Sequence, residues 1–142
     1  MTRFVIAIAV IAGFLAGFAT HEAVPSLHAQ EGGRVYELRT YTAPDGKLND
    51  LHARFRDHTL RIFEKHGIEN VMYFAPTDEP LSENTLIYVI AHESRDAATA
   101  SWNAFREDPE WQQVAADSQV DGRIVAGVES VFMTATDYSP MQ

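Results

Sequence analysis

The sequence predicts an α+β fold of ferredoxin-like βαββαβ order, and three observations carry that prediction. Four short stretches are rich in branched and aromatic residues, bounded by Pro, Gly, Asp and Ser. Two longer stretches repeat apolar residues at helical spacing. Along the chain these alternate as strand, helix, strand, strand, helix, strand, with no internal repeat, which is the split βαβ arrangement.

The first strand, residues 34–42, carries Val35-Tyr36-Glu37-Leu38-Arg39-Thr40-Tyr41. Side chains two apart in a strand point the same way, so Glu37 and Arg39 sit side by side in an otherwise buried-looking segment. Pro44-Asp45-Gly46 turns the chain into a helix over residues 47–66, with Leu48, Leu51, Phe55, Thr59, Ile62 and His66 on one face. Gly67 is placed as its C′ residue. Strand two spans residues 70–75 and stops at Pro76; residues 76–85 form a polar loop, and strand three covers 86–92. Ser94 caps the second helix, with Asp96 in its first turn. At Asp108-Pro109 that helix breaks and restarts, and Trp111, Val114, Ala115 and Ser118 continue its inner face. Asp121-Gly122 leads into strand four, residues 124–136.

Upstream of the domain lie a positive start with Arg3, an apolar run over residues 4–19, and a polar segment ending in Leu27-His28-Ala29. This is the layout of a secretory signal peptide, and the 16-residue run is shorter than the ~20 residues of a membrane span. The expected organisation is 1–29 signal peptide, 30–33 flexible lead and 34–140 folded domain, in an exported periplasmic or secreted protein. An uncleaved N-terminal anchor is the alternative. Cleavage after Ala29 leaves 113 residues (142 − 29) and removes one base and one acid, Arg3 and Glu22, so the net charge of −9 is unchanged. Such an acidic chain with no Lys/Arg patch excludes nucleic acid as a partner. With no cysteine, an exported domain has no disulfides to rely on.

One face of the predicted sheet has no helix to cover it. Strand three is apolar on both sides (Leu86, Tyr88, Ile90 against Ile87, Val89, Ala91), whereas a sheet wet on one face alternates more cleanly. A second copy packing sheet against sheet is the expected solution, giving a homodimer.

Several motifs resemble the NIPSNAP family: the strand-one heptapeptide, His58-Thr59, Phe63-Glu64-Lys65-His66-Gly67-Ile68, Ser101-Trp102-Asn103-Ala104-Phe105-Arg106, Asp108-Pro109-Glu110-Trp111, Ser130-Val131-Phe132 and Thr136-Asp137-Tyr138-Ser139-Pro140. The resemblance covers nearly all of residues 34–140 and implies a dimeric α/β barrel. It leaves activity unassigned. The wider superfamily it points to includes cofactor-free monooxygenases, polyketide cyclases and haem-binding enzymes, among which fold does not choose.

Candidate site residues follow from the side-chain types. On a regular wheel His58 and His52 flank the stripe centred on Phe55, at the edge of the space between helix and sheet. His58 could serve there as a general base, or simply bond a neighbouring group. His52, Tyr73, Tyr88 and Trp102 are the expected walls of a ligand pocket, against the plainer reading that the rings are core. Glu37 and Arg39 are expected to pair across the dimer interface; binding a polar ligand or reaching solvent at a barrel end are the other readings. His66 is expected to cap its helix and His92 to sit at a loop edge. There is no phosphate-binding Gly-rich loop, nucleophile elbow or His-Glu-x-x-His helix, so no cofactor and no metal is implied. The leading expectation is a dimer that binds a small apolar or aromatic ligand or acts as an interaction module. The alternatives are a cofactor-free monooxygenase or cyclase with His58 as base, and haem binding through a histidine aimed into a pocket.

Overall fold

The structure is a computed structural model, and it describes residues 33–140; the expected signal peptide and most of the lead lie outside the described residues. Strand β1 is Val35–Thr42, and the helix after it divides into α1 (Leu48–Arg54), a π-helical turn (Phe55–Thr59) and α2 (Leu60–Lys65). Strand β2 (Glu69–Phe74) and strand β3 (Thr85–His92) are joined by a loop containing a 3-10 turn. Helices α3 (Arg95–Glu107) and α4 (Pro109–Asp117) precede strand β4 (Gly127–Met133). The sheet is antiparallel in the order β2-β3-β1-β4, which is the ferredoxin-like order. No helix among the described residues is long and apolar enough to cross a membrane.

The caps follow the sequence. Ser94 Oγ accepts from Ala97 N–H at 3.0 Å, and Asp108 Oδ1 accepts from Glu110 N–H at 2.9 Å with Pro109 opening α4. Gly67 closes the first helix with φ +72°, a left-handed conformation that costs a glycine little. His66 Nε2 lies 2.7 Å from Asp108 Oδ2, so it joins the end of one helix to the start of another rather than capping its own.

The last strand and the first helix depart most from the sequence reading, each for a physical reason. Strand β4 runs from Gly127, opposite Thr42 at the end of β1, to Met133, opposite Tyr36 near its start, so its length is set by β1 and it is three residues shorter at each end than the expected 124–136. The first helix contains a π-helical turn, which widens the local i→i+4 spacing to i→i+5. Within it Thr59 Oγ1 donates to the Arg54 carbonyl at 3.1 Å, satisfying a buried acceptor.

Cross-strand register sorts the two sheet faces. Val35, Glu37, Arg39 and Tyr41 share the helix-covered face with His92, Ile90, Tyr88 and Leu86 of β3 and with Phe132, Ser130 and Val128 of β4. Between sheet and helices lies a core of Leu51, Phe55, Ile62, Phe63, Ile68, Tyr88, Ile90, Phe105 and Ile124. The Tyr88 ring is fully buried and sits 5.1 to 5.3 Å from the rings of Phe55, Tyr73 and Tyr41. On the opposite face Met72, Phe74, Val131 and Met133 are exposed.

Candidate functional site

Strand β1 brings an ionised side chain into the protein interior. Glu37 is only 1% exposed, and removing a carboxylate from water costs several kcal/mol unless its oxygens are paired. Both are paired here. Oε1 accepts from Arg39 Nη1 at 2.6 Å and Ser130 Oγ at 2.7 Å. Oε2 accepts from Trp102 Nε1 at 2.7 Å and His92 Nε2 at 3.1 Å. Burial alone would raise the Glu37 pKa; the donors from His92, Ser130, Trp102 and Arg39 outweigh it and hold the group at about 2.

The chemistry of Glu37 follows from that count. A carboxylate offers about four lone-pair sites, and all are taken. Glu37 has none left with which to accept a substrate proton, so it is a fixed negative charge and not a general base. Since an ionised carboxylate only accepts, the network places an N–H on His92 Nε2; His92 Nδ1 is buried with no hydrogen-bond partner among the described residues. The Arg39 guanidinium lies 4.4 Å from the Trp102 ring centroid, so the network joins α3 to the three strands β1, β3 and β4.

This placement bears directly on the expected dimer contact. The Glu37–Arg39 pair forms within one chain, and it faces the helices rather than the open sheet face. Parity along the strand put the two residues together correctly; which side of the sheet they face depends on where α3 packs, and strand parity is silent on that. His92 and Ser130 were absent from the expected site. They lie 55 and 93 residues from Glu37 in sequence, and only strand register brings them to it.

The expected ligand walls separate. His52 and Tyr73 do meet, in a cleft of about 310 Å³ lined also by Phe55, Arg56, Leu60 and Phe74. It runs between the π-helical turn and β2, and a π turn is a recurrent feature of functional sites. Tyr88 lies beneath it, stacked on Tyr73 at 5.2 Å and 15°. Trp102 belongs to the Glu37 network instead. His58 is exposed on the π turn and lines a different cleft, with Asp57, Asp117 and Asp121. A wheel of 100° per residue misplaces it because the π turn inserts an extra residue into the helix's period.

Residues 36–140 match the family model described as NIPSNAP. The chain belongs to the NIPSNAP family. A NIPSNAP-family protein of unknown function from Agrobacterium tumefaciens is 23% identical, over 78% of this chain and 96% of that one, with a TM-score of 0.67. A NIPSNAP-like domain protein from Burkholderia xenovorans is 16% identical over 77% and 90%, with a TM-score of 0.66. SnoaB, a cofactor-independent oxygenase from Streptomyces nogalater, is 14% identical over 76% and 98%, with a TM-score of 0.51. At such identities these NIPSNAP and oxygenase likenesses show the α+β fold and nothing of its chemistry. No curated protein matches the chain in sequence.

Proposed function

We propose that this NIPSNAP-family protein is an exported homodimer that binds a small apolar or aromatic ligand in the cleft between the π-helical turn and β2. The observation that carries this reading is the cleft itself: ring walls from Phe55 and Tyr73 with Leu60 and Leu86 beside them, and His52 and Arg56 as orienting polar groups. Apolar walls with a few convergent polar side chains are the usual make-up of a small-molecule site. The dimer covers the open sheet face, where Met72, Phe74, Val131 and Met133 are 37 to 54% exposed. Export rests on the signal-peptide layout of residues 1–29.

Native mass spectrometry of protein purified from its own host tests both claims, by reporting a dimer mass and any retained ligand. Ala75 is exposed on the cleft wall, so Ala75→Trp should fill the cleft and abolish retention without disturbing the core. Retention unchanged in Ala75→Trp would refute the site. Val131→Glu, a charge on the open face, should yield a monomer by light scattering; a dimer that tolerates it would remove that face as the interface.

A further inference from the structure

Arg54 is 7% exposed, yet it has no carboxylate partner among the described residues. Its one hydrogen bond there is a long contact from Nη1 to Ser118 Oγ at 3.4 Å, and its Nε is buried with no partner. Its guanidinium rests 5.2 Å from the Trp111 ring centroid. Buried charges are ordinarily paired, so this one calls for an explanation. Arg54 lines a cleft of about 360 Å³ between the first helix and α4, apart from both the Glu37 network and the ligand cleft of β2.

The rim of that cleft has the opposite sign. Asp57, Asp117 and Asp121 line it and are exposed; Asp57 and Asp121 have no ion-pair or hydrogen-bond partner among the described residues. Asp50, also on the rim, is already paired with Lys47 at 3.1 Å. No group of three or more His, Asp or Glu among the described residues is arranged to hold a metal ion. Val114 and Ala53 add apolar wall to the same cleft. An anion alone would meet the acidic rim, and a cation alone would leave Arg54 unpaired.

We infer that this cleft binds a small zwitterion of the amino-acid class, its carboxylate on the Arg54 guanidinium and its ammonium at the Asp57/Asp121 rim. The planar guanidinium can take a carboxylate end-on through one N–H each of Nη1 and Nη2. The short carbon chain of the ligand then lies against Val114 and Ala53.

Calorimetric titration of the full chain with linear ω-amino acids, from glycine to aminocaproate, tests this, with acetate and methylammonium as separate half-ligands. At least one ω-amino acid should bind about tenfold or more tighter than either half-ligand, and binding should change the tryptophan emission through Trp111. Arg54→Met and Asp121→Asn should each weaken that binding by about tenfold. Asp121 is exposed, so its variant tests the ammonium half of the site without touching the interior. No binding by any ω-amino acid, equal binding of acetate, or undiminished binding in Asp121→Asn would each overturn the proposal.

Discussion

Two arginines of this small domain are largely withdrawn from water, and each lies against a tryptophan, Arg39 on Trp102 and Arg54 on Trp111. There the likeness stops. Arg39 has a carboxylate 2.6 Å away, itself held by three further donors; Arg54 has a distant serine hydroxyl. Burial pulls both guanidinium pKa values down. At Arg39 the neighbouring phenols of Tyr41 and Tyr88 and the Glu37 carboxylate more than reverse this, while at Arg54 burial prevails. A charge whose partners are all internal belongs to the architecture. One left without a counter-ion is available to something from outside.

Replacing each arginine by an apolar residue of similar length breaks this contrast most directly. Arg39→Met strands a buried carboxylate and should cost on the order of 3–5 kcal/mol in chemical denaturation. The same change at Arg54 removes an unpaired charge and should cost less than about 1 kcal/mol, or stabilise. Equal losses at the two sites would mean that Arg54 is compensated after all.

The next effect is one of pH. Folding lowers the Glu37 pKa from 4.5 to about 2, so its contribution is complete above pH 4.5 and disappears as pH falls through 2. Stability measured across that window should fall by on the order of 3 kcal/mol in the wild type, and Glu37→Gln should flatten the profile. A Glu37→Gln profile as steep as the wild type would assign the acid sensitivity elsewhere. Smaller still is Trp102→Phe, which removes one N–H donor from the carboxylate but keeps a ring under Arg39. About 2 kcal/mol is expected, with the Glu37-linked acid transition moving to higher pH.

Much of the fold was legible in the sequence. Ser94, the Asp108-Pro109 pair and Gly67 mark helix ends through backbone chemistry that acts within a few residues, and each stands where that chemistry requires. The Glu37–Arg39 adjacency was legible for the same local reason. What was not legible depends on distance along the chain. His92, Trp102 and Ser130 reach Glu37 from 55, 65 and 93 residues away, and the register that aligns them is fixed by pairing rather than by any one segment. Nor does local pattern announce a π turn. The buried face of the first helix survives it, with Leu51, Phe55, Thr59 and Ile62 all inside, but the flanking histidines are divided between two clefts.

Strand β4 lies at the margin of the sheet, bonded on one side only, to β1. Marginal strands of this kind open locally at low free energy, residue by residue from their ends. Ser130 stands near the middle of β4 with its hydroxyl on Glu37, so peeling this strand past its centre also strips a buried anion of one of its donors. Amide exchange along β4 should therefore be stepped rather than graded, fast towards Met133 and slow from Ser130 inward. The chain's last strand is fastened to its first by a single hydroxyl as well as by their ladder.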